Sequence, residues 1–215
     1  MAFAIIDPVL ANITNKADVI EKLIKQYPLL LKEWEKETEA RLKKEAAEIA
    51  EGDSEVELSY YSQSLGVFDD DYQLKDIFYQ SMLLITVSYY ESVVTLLSKR
   101  AGIKDLIMAI CKKNKIELSA KTLDDIDFIE RKVSVLRNNI CHNNSGTLRK
   151  TDVLLEIAND SDEIIFQDDT ISINGPCFIL DALEKEKLIL EELADKLGHK
   201  NKLLKDGKLI SIERK

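Results

Sequence analysis

The stretch Tyr72-Gln-Leu-Lys-Asp-Ile-Phe-Tyr-Gln-Ser-Met-Leu-Leu-Ile-Thr-Val-Ser-Tyr-Tyr-Glu-Ser-Val-Val-Thr-Leu-Leu-Ser-Lys-Arg100 decides the fold class. Its apolar residues, among them Leu74, Phe78, Met82, Ile85, Val93 and Leu97, cover more than one helical face, which marks a helix at the centre of a bundle. It is no membrane span, because hydroxyl residues interrupt its most apolar part at 82–88 and Tyr89-Tyr90-Glu91 follows. Ala101-Gly102 supplies a C-terminal stop, and a short basic amphipathic helix is expected from Lys104 to about Lys115.

Outward from this helix the chain is poor in turn formers. Its 215 residues include 7 Gly and 3 Pro, less than half the usual ~12%. With 45% hydrophobic and 32% charged residues, it has material for a sizeable core under a charged exterior. The expectation is one all-α domain over 1–215. Asp7-Pro8 opens the N-terminal helices of residues 1–50 as an N-cap followed by Pro at the first helical position. A second helix over 17–27 is expected to break at Pro28 and resume over 29–50, where interleaved Glu and Lys suit i,i+4 pairing on a solvated face. Residues 51–72 hold Gly52, Gly66 and Asp69-Asp70-Asp71, lose the helical period and read as a loop. Residues 163–174 read as two short strands about an Asp168-Asp169 turn. Pro176 opens a last helix to about Gly198, and 200–215 reads as a basic tail.

The net charge of -9 argues at first against a nucleic-acid partner. Split by position, residues 99–150 hold 12 Lys and Arg against 6 Asp and Glu, whereas the remaining 163 residues hold 18 against 33. The acid therefore lies outside the basic segment. Cys111, Cys141 and Cys177 form no CxxC pair and fit reduced thiols in the cytoplasm. Two histidines without HxxxH or HExxH spacing give no metal site, and no cofactor is implied. The N-terminus lacks a basic n-region, so no secretory signal is expected.

The informative segment is Leu136-Arg-Asn-Asn-Ile-Cys-His-Asn-Asn-Ser-Gly146, at the end of a helix whose start, Thr122-Leu-Asp-Asp125, matches a variant capping box. Ile126, Ile129, Val133, Leu136 and Ile140 recur at spacings of three and four and form its core stripe. At 100° per residue, Arg137 falls about 70° from that stripe, Cys141 about 110°, and Asn138 and His142 nearly opposite it. An Arg, an Asn and a His thus share one polar side. The guanidinium suits phosphate oxygens, and the imidazole suits proton transfer near neutral pH. Arg131, Lys132, Arg149 and Lys150 flank the motif and suit either a phosphate backbone or a solvated surface. Arg137 and His142 equally suit a plainer role, complementing the helix dipole and capping the last carbonyls.

Arg137-x4-His142, with a polar Asn138 after the Arg and an Asn/Gly-rich helix end, resembles the R-x4-6-H motif of the HEPN superfamily. The resemblance extends over residues 72–198: a long apolar helix with Tyr89-Tyr90-Glu91-Ser92, a connecting helix, the motif helix and a terminal helix. It implies an all-α, HEPN-like helical bundle, here with a small β-hairpin between the motif helix and the C-terminal helix. It also implies a metal-independent endoribonuclease with Arg137, His142 and Asn138 as catalytic residues. A homodimer whose motif helices line one cleft, an RNA substrate such as tRNA or mRNA, and an antitoxin or regulatory protein partner follow from the same likeness, in a toxin or phage-defence role. Some family toxins carry a modifiable Tyr two residues after the His, where this chain has Asn144. Two alternatives stand beside the ribonuclease: a non-catalytic nucleotide- or protein-binding module on the same fold, and a regulatory bundle in which the motif is accidental.

Overall fold

The computed structural model describes residues 2–67, 71–98, 106–142, 148–205 and 208–211, without the side chains of residues 2, 3, 65–67, 71–74, 98, 142 and 203–205. Asp7 caps the first helix as expected. Its Oδ1 accepts the backbone N–H groups of Val9 at 2.9 Å and Leu10 at 3.2 Å. Helix α1 then runs from Pro8 to Ala50 without a break, 43 residues and about 64 Å long. The expected interruption at Pro28 does not occur. Proline removes one hydrogen bond and crowds the carbonyl four residues back, but packing holds the turns on both sides. Ile24 and Leu31 are buried, and Tyr27 stacks on Phe78 with the rings 7° from parallel.

Residues 51–72, expected as a loop, contain helix α2 (Ser54–Val67). Asp53 is its cap, with Oδ1 accepting from the Glu55 N–H at 2.9 Å and the Val56 N–H at 3.3 Å. The helix turns back along α1, and Tyr61 donates its hydroxyl to Glu39 at 3.2 Å. Beside it α1 keeps Thr38, Leu42, Ala46 and Ala50 buried.

Helix α3 (Asp71–Ser98) is the central helix that the sequence predicts and packs on α1 and on α8 (Cys177–Lys196). Tyr89 of α3 donates its hydroxyl to the Ile13 carbonyl of α1 at 3.0 Å, which makes it a core aromatic. Helices α4 (Leu106–Asn114), α5 (Ala120–Phe128), α6 (Ser134–His142) and α7 (Thr151–Asp160) complete the bundle. The proposed stop residues Gly102 and 143–146 lie outside the described residues. Among the described residues no helix is long and apolar enough to cross a membrane.

Strands β1 (Ala2–Ile5), β2 (Ile164–Gln167), β3 (Thr170–Ile173), β4 (Lys202–Lys205) and β5 (Lys208–Ser211) form two small sheets. β2 and β3 are the expected hairpin. Asp168 and Asp169 both take positive φ, 50° and 56°, as a two-residue turn of this kind requires. Asp76 of α3 accepts the Ile173 N–H at 2.7 Å and fixes the hairpin on the bundle. The residues read as a basic tail are not one: β4 pairs with both β1 and β5. The Asp7 N–H donates to Asn201 at 2.8 Å, so the two ends of the chain meet where α1 begins.

Candidate functional site

The motif helix starts earlier than Thr122. Ser119 is its N-cap and accepts the Thr122 N–H at 3.2 Å, while the Thr122 hydroxyl donates to Glu192 of α8. Nor is the helix uniform. Residues Ile129–Val133 form a single π-turn between α5 and α6, closed by the Ser134 N–H on the Ile129 carbonyl. One extra residue in a turn sets the following helix back by about 100°. Asn138, which an uninterrupted helix places opposite the core stripe, is therefore brought round to the side of Ile126 and Glu130.

These three residues line one cavity of about 300 Å³, bounded by α3, α4, the π-turn and α6. Its wall is mainly apolar, with Val87, Ile107, Ile129 and Val135, the ring of Tyr90 and the thioether of Met108. Its polar groups are Glu91, Glu130, Ser134, Arg137, Asn138 and Lys150. Arg137 donates from Nη1 to Asn138 Oδ1 at 2.8 Å, and its Nη2 lies 3.9 Å from Glu91 Oε1. Glu91 of α3 thus faces the motif arginine. Arg137 is about one-third exposed, so this pairing is solvent-screened and orients the guanidinium rather than stabilising the fold.

The sequence-predicted residues divide into two groups. Arg137, Asn138 and Lys150 share the cavity. Lys132 turns to α7, with its ammonium 2.6 Å from Asp160 and 3.1 Å from Glu156. The hydrogen bond to Asp160 raises its pKa, opposed by burial and aided by Glu156. Arg131 lies 3.5 Å from Asp127 on the exposed face, and the Arg149 residue is exposed. His142 is the last residue of α6, and its side chain lies outside the described residues. Cys141 is exposed, and all three cysteines are free.

Two residues that sequence reasoning missed support this site. Asn139, one position beyond Asn138, is buried. Its Nδ2 donates to the carbonyls of Val135 and Arg149, both at 2.9 Å, and its Oδ1 accepts the Arg149 N–H at 2.8 Å. That clamp fixes the segment carrying Lys150, which has a left-handed backbone with φ 56°. Glu186 of α8 is fully buried, and neither carboxylate oxygen has a hydrogen-bond partner among the described residues. Burial, and then the charge of Glu91, raise its pKa well above the carboxylate range. Burial together with Glu186 and Glu130 pushes the Tyr90 phenol far up, so Tyr90 presents a neutral ring to the cavity. Asn139 sits beside Arg137 and Asn138, and Glu186 in the run Glu184-Lys-Glu-Lys187, so neither stands out from its neighbours in the sequence.

Comparison of the chain with protein-family models, with curated proteins and with solved structures finds no match.

Proposed function

We propose that this protein is a metal-independent endoribonuclease of HEPN type that acts as a homodimer in a toxin or phage-defence role in the cytoplasm. The observation that carries the reading is the convergence of Arg137, Asn138 and Lys150 on one cavity at the end of the motif helix. In this reading His142 accepts the ribose 2′-hydroxyl proton as that oxygen attacks phosphorus. The bond to the 5′-oxygen breaks, the leaving oxygen takes a proton, and a 2′,3′-cyclic phosphate remains. Two copies of His142 across a dimer cleft divide the base and acid roles. Arg137 and Lys150 neutralise charge on the non-bridging phosphate oxygens as it builds, and Asn138 orients the guanidinium. Glu91 opposes premature anion binding by keeping a carboxylate near Arg137.

The test is incubation of the protein with total RNA or tRNA in EDTA, beside Arg137→Ala and His142→Ala variants of unchanged circular dichroism. Wild type cleaves and leaves cyclic-phosphate ends, whereas each variant loses about 10²-fold or more in rate. Absence of cleavage by all three proteins, across structured and unstructured RNAs, moves the assignment to a non-catalytic nucleotide-binding module. A strictly monomeric solution mass removes the composite cleft.

A further inference from the structure

We infer that the cavity beside Arg137 receives one unpaired nucleobase of the RNA and selects guanine. The inference rests on the reading of the chain as RNA-acting and adds a substrate preference to it. The cavity volume of about 300 Å³ is at the small end of ligand pockets, ~300–1,000 Å³. It admits a single heterocycle and excludes a paired strand.

The wall chemistry narrows the occupant. Apolar faces from Ile107, Ile129, Tyr90 and Met108 suit the two flat faces of a ring system. Met108 is 53% exposed, an apolar side chain held in water unless a ligand covers it. Arg137 and Lys150 suit an anionic group beside the ring, which a nucleotide phosphate supplies. A fatty acid also offers an apolar body and an anion, but it has no N–H to give the carboxylates of Glu91 and Glu130 that line the same space.

Those carboxylates decide between bases, because an ionised carboxylate only accepts hydrogen bonds. Guanine presents two adjacent donors, N1–H and N2–H, on its Watson–Crick edge. Adenine and cytosine place one exocyclic donor next to a ring acceptor that repels a carboxylate. Uracil has one N–H flanked by two carbonyls. Glu91 is held toward Arg137 at 3.9 Å, whereas Glu130 has no ion pair among the described residues and is the group free to take the guanine edge. The π-turn puts Glu130 and Asn138 on the same side, which brings the base reader next to the group that orients the phosphate-binding arginine.

The experiment has two arms on the full-length protein. In the first, calorimetry measures binding of GMP, AMP, CMP and UMP to wild type and to Glu130→Ala. GMP binds wild type about tenfold or more tightly than the others, a difference set by hydrogen bonds to a charged acceptor, and Glu130→Ala brings the four affinities together. Equal affinities in wild type, or a preference that survives Glu130→Ala, overturn the inference. In the second arm the ends of cleaved single-stranded RNA are sequenced, and a guanine at one fixed position beside the cut is expected. Cleavage without base preference sinks the inference and leaves the ribonuclease reading standing. GMP-selective binding without cleavage of any RNA does the reverse.

Discussion

The side-chain amide of Asn139 pairs with both backbone polar groups of Arg149, accepting its N–H at 2.8 Å and donating to its carbonyl at 2.9 Å. The contact joins α6 to the residues just before α7. It explains how Lys150, 13 positions after Arg137 in the chain, comes to the same cavity.

Loss of this clamp should therefore cost stability and site geometry together. Asn139→Ala removes three hydrogen bonds worth about 1 kcal/mol each, two of them part-buried bonds to the Arg149 backbone, for an expected loss of about 2–4 kcal/mol in urea unfolding. Asn139→Asp is nearly isosteric, yet it turns a donor into an anionic oxygen facing two carbonyls. It should destabilise at least as much as Ala; a milder effect would mean that the Nδ2 bonds contribute little.

Glu91→Gln should separate orientation from stability at Arg137. The pair is about one-third exposed and solvent-screened, so the unfolding free energy should stay within about 0.5 kcal/mol of wild type. RNA binding in EDTA, followed by fluorescence anisotropy, should tighten about three- to tenfold as a carboxylate leaves the anion site, and the gain should shrink at high salt. Unchanged affinity at low salt would argue that Glu91 does not compete with phosphate.

Glu186 gives a pH dependence of definite sign. Its folded pKa is raised, so the native state holds the proton that the unfolded chain releases above about pH 4.3. Its share of stability is whole below that pH and falls as pH rises toward the folded value, by up to about 1.4 kcal/mol per pH unit. Glu186→Gln should flatten this decline and be more stable than wild type at pH 7, with the two converging near pH 4 in pH-dependent urea titrations. Parallel curves for the two proteins would show that Glu186 finds a partner in solution.

Gly175 and Glu163 should couple strongly. Glu163 Oε2 accepts the Phe178 N–H at 3.1 Å and so caps α8, whose N-cap position holds Pro176 without a side-chain bond. A Cβ on residue 175 would overlap the Glu163 carboxylate. Gly175→Ala must push the carboxylate off the helix and should cost about 1–2 kcal/mol, the worth of a cap. In a Glu163→Ala background the same change should cost far less, and simple additivity in thermal melts would exclude the steric mechanism.

What the sequence determined by itself are features whose causes lie within a turn or two of chain. The Asp7-Pro8 cap, the apolar helix through Met82 and Val93, the Asp168-Asp169 hairpin, and the placement of Arg137 beside Asn138 on one helix end are all local. The tertiary structure alone decided the features whose partners are far apart. The proline at 28 stays inside a helix because Phe78 stacks on its neighbour Tyr27. The last strands find β1 from the opposite end of the chain, and α2 forms along the flank of α1. The π-turn matters most for the site. A single extra residue, invisible to a fixed 100° step, turns α6 so that Asn138 and Glu130 line one cavity. Periodicity reports which residues face a neighbour, but the phase between successive helices, and the buried Asn139 and Glu186 behind them, are set by packing between segments that the sequence does not place side by side.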